Sequence, residues 1–184
     1  RFSGLEARLV PLRDFGFDDA AMLARMDERT KILFLCNPNN PTGTYWDQTR
    51  FRRFLDRVDG RAIVVADEAY AEFVEADDYP DGMSLMETYP NLVVFRTFSK
   101  MYGLAGLRIG YLAGSPTVVD AIRRTCIVYS VNAVAQEAAL AAVRTDDHIL
   151  RTRQMVRDGK AYLYRELKAL GLPLISGEGN FLMV

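Results

Sequence analysis

Short apolar runs alternate with amphipathic stretches along the whole chain. The apolar runs have the length of buried strands, and the stretches between them repeat apolar residues at helical spacing. This alternation is typical of βα units, so it predicts an α/β fold with a mostly parallel sheet flanked by helices. The predicted strands are residues 9–12, 32–35, 61–66, 92–95 and 109–113, and the predicted helices are residues 18–26, 47–58, 115–124, 132–144 and 146–170.

The pattern changes near the C-terminal end. The long predicted helix stops at Gly171-Leu172-Pro173, and residues 174–175 and 181–184 then predict two further strands. We therefore expect a large domain over residues 1–145, then a connecting helix and the start of a smaller α+β domain over residues 146–184. The chain starts without a methionine and stops inside an apolar run, so we expect it to be a fragment of a longer protein.

Composition narrows the classes of partner. The chain has 184 residues, 49% of them hydrophobic, with a net charge of -1 and no basic stripe, so we expect a globular protein that binds small molecules and neither nucleic acid nor membrane. No apolar run approaches the ~20 residues of a membrane-spanning helix, and we expect a cytoplasmic location. Cys36 and Cys126 are far apart and His148 is the only histidine, which argues against a disulfide framework or a zinc site. Both cysteines are expected in the core.

Three polar clusters each follow a predicted strand. They are Asn-Pro-Asn-Asn-Pro-Thr-Gly at residues 37–43, Asp-Glu-Ala-Tyr at residues 67–70 and Arg-Thr-Phe-Ser-Lys at residues 96–100. Ligands of open α/β sheets bind beyond the carboxyl ends of the strands. The three clusters are therefore expected to surround one crevice.

The clusters contain the groups that a covalently held pyridine aldehyde requires. Such a ligand needs an amine, an anion at its ring nitrogen, donors to its phenolic oxygen and a cradle for its phosphate. Lys100 supplies an amine and Asp67 a carboxylate. The candidate donors to the phenolic oxygen are Asn40 and Tyr70, and the candidate phosphate ligands are Thr97, Ser99 and Arg108. No metal is needed for this chemistry.

The same clusters resemble those of the pyridoxal-phosphate-dependent aminotransferases of fold type I. The histidinol-phosphate aminotransferase subgroup is the most similar, because residues 66–73 and 96–111 match its typical wording almost letter for letter. The resemblance implies that Lys100 bonds to pyridoxal 5'-phosphate and moves the substrate proton, that Asp67 pairs with the ring nitrogen, and that Asn180 contacts substrate. It also implies that Asn40 and Tyr70 bind the phenolic oxygen and that Thr97, Ser99 and Arg108 hold the phosphate.

The activity implied by the resemblance is transfer of an amino group between L-histidinol phosphate and 2-oxoglutarate, in histidine biosynthesis, by a homodimer. Residues 126–132 depart from the proline-phenylalanine-asparagine wording of the subgroup, so the substrate stays open. The alternatives are an aromatic or other amino-acid aminotransferase and a threonine-phosphate decarboxylase-like lyase. A domain that binds the cofactor in a transcriptional regulator is a further alternative.

Each candidate residue also has an ordinary interpretation. Aspartates such as Asp67 often begin turns, and lysines such as Lys100 are usually exposed to solvent. Their occurrence together, in order and in the predicted structural context, favours the site.

Overall fold

A computed structural model of the chain, which describes residues 4–184, contains one four-stranded sheet in that part of the chain. The strands are β1 (Ile32–Cys36), β2 (Ile63–Asp67), β3 (Leu92–Thr97) and β4 (Gly110–Ala113), and they lie in the order β1-β2-β3-β4. β1, β2 and β3 are parallel, whereas β4 runs antiparallel to β3. The predicted mostly parallel sheet flanked by helices is confirmed.

Helices flank the sheet and in several cases begin at a capping side chain. They are α1 (Asp19–Ala24), α2 (Gln48–Val58), α3 (Gly82–Leu85), α4 (Pro116–Arg123), α5 (Ala133–Ala142) and α6 (Asp146–Ala169), with 3-10 turns at Ala71–Phe73 and Ala105–Leu107. The side chains of Asp18, Asp47 and Asn132 accept backbone N–H groups in the first turns of α1, α2 and α5. These bonds satisfy donors that have no partner inside a helix. The sequence did not predict α3, because four residues are too few to show a helical period.

The main core lies between α2 and the sheet. Phe51, Phe54, Leu55 and Val58 form the buried face of α2, at the i, i+3, i+4, i+7 spacing that places side chains on one side of a helix. The ring of Trp46 lies 5.0 Å from that of Phe54 in the same core. This packing anchors the loop before α2, which is one of the three clusters at the strand ends.

α6 lies beside the strand ends without burying a residue of its own. Ile149 and Val156 of α6 pack, while partly exposed, against a small buried cluster made of Tyr70, Phe73 and Met101. The Nε of Arg153 donates to the backbone oxygen of Glu72 at 2.8 Å. The division of the chain at residue 145 into a large domain and a connecting helix stays a prediction.

Several expectations from the sequence are wrong. Residues 9–12 form no strand in the described chain, where only Arg13 and Gly16 make an isolated bridge nearby. Pro11 lacks the N–H that a ladder needs. Val10 packs against the main core, whereas Leu9 and Leu12 stay exposed. The two strands predicted at residues 174–175 and 181–184 are reduced to one bridge, between Ile175 and Met183.

The expected burial of both cysteines is also wrong, since Cys126 is exposed and Cys36 is only half-buried. Among the helices of residues 4–184, none has the length and apolar character that crossing a membrane requires.

Candidate active site

The three polar clusters meet at one edge of the sheet. Cys36 lies opposite Asp67 in the register of β1 and β2, and Asp67 lies opposite Phe95 in the register of β2 and β3. Because these strands are parallel, the residues that follow them emerge side by side at their carboxyl ends. The predicted convergence is therefore present.

Tyr70 is the side chain that joins the clusters. Its hydroxyl accepts a hydrogen bond of 2.8 Å from the Nδ2 of Asn40, in the cluster after β1. The Nζ of Lys100, in the cluster after β3, lies 5.1 Å from the centroid of its ring, within cation–π distance. Tyr70 is buried, whereas Asn40 and Lys100 are exposed. A fixed phenol thus stands between an accessible amide and an accessible amine.

Phe181 packs against the ring of Tyr70. The two rings are 5.0 Å apart and nearly perpendicular, which is a favourable aromatic geometry. Asn180, the predicted substrate contact, is exposed and is the neighbour of this phenylalanine. From the sequence, Phe181 was placed in an apolar run and beside Asn180 with no partner assigned, so its contact with Tyr70 was not foreseen.

One oxygen of Asp67 is used to shape the turn after β2. Oδ1 accepts a hydrogen bond of 3.1 Å from the backbone N–H of Ala69. Oδ2 accepts a long hydrogen bond from the Cys36 thiol, with Sγ at 4.0 Å. Burial raises the pKa of Cys36, and the Asp67 charge raises it further, so the thiol stays protonated beside the carboxylate. Oδ2 keeps lone pairs with which to accept a stronger donor.

The candidate phosphate ligands lie at the end of β3 and in the loop of the β3–β4 hairpin. The backbone N–H of Ser99 donates to the Oγ1 of Thr97 at 3.1 Å. Arg108 has a left-handed backbone with φ 54°, and its Nη1 donates to the oxygen of Ala105 at 2.8 Å. Because Thr97 lies opposite Gly110 in the hairpin, the chain returns to the level of Thr97 just after Arg108. In residues 4–184 no hydrogen bond joins Arg108 to Thr97 or Ser99.

The loop that carries Asn40 is fixed at both of its ends. Asn37 exchanges two hydrogen bonds with the backbone of Trp46, at 2.7 and 3.2 Å. The oxygen of Gly43 accepts the backbone N–H of Glu178 at 2.7 Å, which brings the C-terminal segment against the loop. A Cβ on Gly177 would lie 2.6 Å from the Gly43 backbone, so this approach requires glycine.

Three charged residues beside the site, Glu68, Glu72 and Arg96, had no role assigned to them from the sequence. Glu68 is fully buried and pairs with Arg96, which also bonds to Glu72. Burial raises the pKa of Glu68 to about 7, although Arg96 favours its ionised form. Their positions could have indicated a role near the site, because Glu68 directly follows Asp67 and Arg96 directly precedes Thr97.

The groups at this edge fit a pyridoxal cofactor better than a metal ion. Among the residues that the structure describes, no three His, Cys, Asp or Glu side chains are placed to hold a metal. The edge instead presents an amine, a carboxylate with acceptor capacity, an amide, a phenol and two hydroxyl groups.

Comparisons with known proteins agree with this chemistry. A family model described as aminotransferase class I and II matches residues 1–184. The protein named histidinol-phosphate aminotransferase 2 of Pseudomonas fluorescens is 42% identical over 181 residues, which cover 98% of this chain and 49% of that protein. The protein of the same name in Pseudomonas aeruginosa is 44% identical, with 98% and 49% coverage.

A solved structure shows the same fold. The crystal structure of histidinol-phosphate aminotransferase from Sinorhizobium meliloti in complex with pyridoxal-5'-phosphate is similar, with a TM-score of 0.87 and 30% identity. The match covers 94% of this chain and 47% of that one. The chain thus spans about half the length of the curated relatives it matches.

Proposed function

Because this chain belongs to the class I and II aminotransferase family, we propose that it forms the cofactor-binding part of a histidinol-phosphate aminotransferase. The reaction is transfer of an amino group between L-histidinol phosphate and 2-oxoglutarate. The observation that carries the proposal is the contact of Tyr70 with both Asn40 and Lys100 beside the Asp67 carboxylate. Histidinol phosphate is chosen because the relatives at 42% and 44% identity carry that name.

The residues around the Tyr70 ring would hold pyridoxal 5'-phosphate. When bound, the protonated pyridine ring of the cofactor accepts the electron pair that remains when a substrate proton is removed. Lys100 would hold the cofactor by a bond from Nζ to its aldehyde carbon, formed with loss of water. The amino group of the substrate would displace Nζ from that carbon, and the freed amine of Lys100 would then move that proton. Oδ2 of Asp67 would accept the ring N–H, and this negative charge keeps the ring nitrogen protonated.

Asn40 and Tyr70 retain the hydrogens that the phenolic oxygen needs. The bond between them uses one N–H of Asn40 and a lone pair of the Tyr70 hydroxyl. The second N–H of the amide and the hydroxyl hydrogen both remain to be donated. Tyr70 cannot turn away easily, because its ring packs against Phe181.

Thr97, Ser99 and Arg108 would bind the phosphate. The Thr97 oxygen already accepts the Ser99 N–H, so its own hydroxyl hydrogen is directed to another acceptor. The guanidinium of Arg108 donates from Nη1 to the backbone oxygen of Ala105. Its other N–H groups remain available to bind two oxygens of the phosphate. Asn180 is proposed as a substrate contact because it adjoins Phe181.

Product analysis tests the reaction. The full-length protein, loaded with pyridoxal phosphate, is given histidinol phosphate with 2-oxoglutarate, and glutamate is measured. We expect glutamate to form only when both substrates are present. The lyase alternative is tested with O-phospho-L-threonine, because histidinol phosphate has no carboxyl group to lose, and release of carbon dioxide from it without glutamate would support that alternative. Glutamate formed from 2-oxoglutarate with aromatic amino acids but not with histidinol phosphate would support a different aminotransferase.

We also propose that the enzyme is a cytoplasmic homodimer. Ile127, Val128 and Tyr129 form a contiguous apolar run that is 81%, 75% and 95% exposed in this chain, and such runs are typical of interfaces. Light scattering on the full-length protein should give twice the subunit mass, and a monomer would contradict the proposal. The location follows from the sequence pattern and is tested by cell fractionation.

A further inference from the structure

The strand ends at the candidate site have a second, buried side. Asp67 lies opposite Phe95, so the next residues, Glu68 and Arg96, are also neighbours across the two strands. Successive side chains of a strand point to opposite sides of the sheet. The alternation that places Asp67 and Thr97 on one side therefore places Glu68 and Arg96 on the other.

One guanidinium holds two carboxylates on this reverse side. The Nε and Nη2 of Arg96 both donate to Oε2 of Glu68, at 2.8 and 2.6 Å, and Nη1 donates to Oε1 of Glu72 at 3.2 Å. The side chains of Arg96, Glu68 and Glu72 are only 17%, 1% and 12% exposed. Charge-assisted hydrogen bonds that are shielded from water in this way are strong and directional.

The ion-paired cluster of Arg96, Glu68 and Glu72 has little freedom to rearrange. A Cβ on Gly82 would lie 2.2 Å from Oε1 of Glu68, so the carboxylate is confined on the side away from Arg96. The backbone N–H of Glu68 donates to the backbone oxygen of Phe95 at 3.0 Å. The backbone oxygen of Glu72 is held by Arg153 of α6. The turn between the two glutamates is thus fixed at both ends, and Tyr70 lies inside it.

We propose that Arg96 is a positioning residue, which fixes the Asp67–Tyr70 turn relative to Lys100 by holding Glu68 and Glu72 from the reverse side of the sheet. The inference rests on the proposed function. Arg96 belongs to the strand that leads into Lys100, whereas both glutamates belong to the turn that carries the ring-nitrogen and phenolic-oxygen partners. The ion-paired cluster is the direct side-chain link between these two segments behind the site.

Arginine variants of the full-length protein test the proposal. We expect Arg96→Met to weaken cofactor binding and to lower kcat by on the order of a hundredfold, the cost of misplacing reacting groups by about 1 Å. KM for histidinol phosphate should change little. Arg96→Lys should recover part of kcat, because an ammonium keeps the charge but lacks the fork that reaches two carboxylates.

A matched control separates positioning from stability. Arg61 also donates through its guanidinium, from Nε and Nη2 to the backbone oxygens of Val58 and Arg57 at 3.1 and 2.8 Å, and it precedes β2, at the opposite end of that strand from Glu68. Arg61→Met should lower the melting temperature and leave cofactor affinity and kcat unchanged. In the cofactor-free protein, backbone amides of residues 67–73 should exchange faster in Arg96→Met than in Arg61→Met.

Two results would overturn the inference. The first is an Arg96→Met protein that melts earlier, like the control, but keeps wild-type cofactor affinity and kcat. The second applies if Arg96→Met does not fold, and it is an Arg96→Lys protein with wild-type kcat and cofactor affinity. Failure of the proposed function is distinguishable, because the wild-type protein would then neither bind pyridoxal phosphate nor form glutamate.

Discussion

The two sides of the strand ends differ in how their polar groups are used. On the side of Asp67, Tyr70 and Lys100, the groups are accessible or retain hydrogen-bonding capacity. On the side of Glu68 and Arg96, the charges are buried and bonded to one another. A reacting site needs groups that can still accept a ligand, whereas a support needs groups that are already committed. We therefore expect variants of the first side to change chemistry, and variants of the second to change stability as well.

The largest effect is expected for Lys100→Ala. Transamination should be lost, because no other amine is in contact with Tyr70 within the described residues. The melting temperature of the cofactor-free protein should hardly change, since the exposed cation–π contact with Tyr70 contributes only about 0.5–1 kcal/mol. Glutamate formation and thermal melting check the two halves of this prediction. Substantial turnover by the variant would remove Lys100 from its role.

Asp67→Asn should slow turnover while leaving the turn intact. An asparagine oxygen can still accept the Ala69 N–H, but the charge at the ring nitrogen is gone. Loss of one preorganised electrostatic group typically costs roughly a hundredfold to a thousandfold in kcat. Steady-state kinetics and cofactor titration measure this, and near-normal kcat with bound cofactor would refute the assignment.

Glu68→Gln should alter the pH dependence of stability. The pKa of Glu68 rises from the ordinary 4.5 to about 7 on folding, chiefly through burial. The folded state therefore binds more protons than the unfolded state between these values, and stability is lost as the pH rises through the folded pKa. From pH 5 to pH 8 the wild type should lose up to roughly 3 kcal/mol relative to the variant. Urea unfolding at a series of pH values measures the difference, and parallel curves would contradict it.

Tyr70→Phe should have the smallest effect of the four. The ring contacts with Phe181 and Lys100 survive, and the hydroxyl that accepts from Asn40 and would donate to the phenolic oxygen of the cofactor is lost. One hydrogen bond of about 1 kcal/mol corresponds to a cofactor affinity lower by several-fold to roughly tenfold. Asn40→Ala breaks the same bond, so the double variant should lose less than the two single variants together. Additive losses would show that the two residues act separately.

The sequence predicted the parts of the fold that depend on local pattern. β2 was predicted at residues 61–66 and lies at Ile63–Asp67, and the periodic face of α2 is buried as expected. The failures concern partners that are distant in the chain. Whether residues 9–12 pair, or whether Cys126 is covered, depends on neighbours that no local pattern reveals.

The candidate site shows the same limit. The convergence of Asn40, Asp67 and Lys100 could be predicted because parallel strands bring their ends together. The contact of Phe181 with Tyr70, the approach of Gly177 to Gly43 and the pairing of Arg96 with Glu68 could not, since each joins segments that only the folded chain brings together. The catalytic and cofactor-binding roles of the site residues remain predictions.

The most direct test of the central claim is the site of covalent cofactor attachment. The full-length protein is saturated with pyridoxal phosphate, reduced with borohydride, digested and mapped by mass spectrometry. This chain contains four lysines, Lys31, Lys100, Lys160 and Lys168, so the assignment has internal controls. We predict the reduced cofactor on Lys100 in stoichiometric yield and none on the Lys100→Ala variant. Attachment at another lysine, or no attachment, would contradict the account.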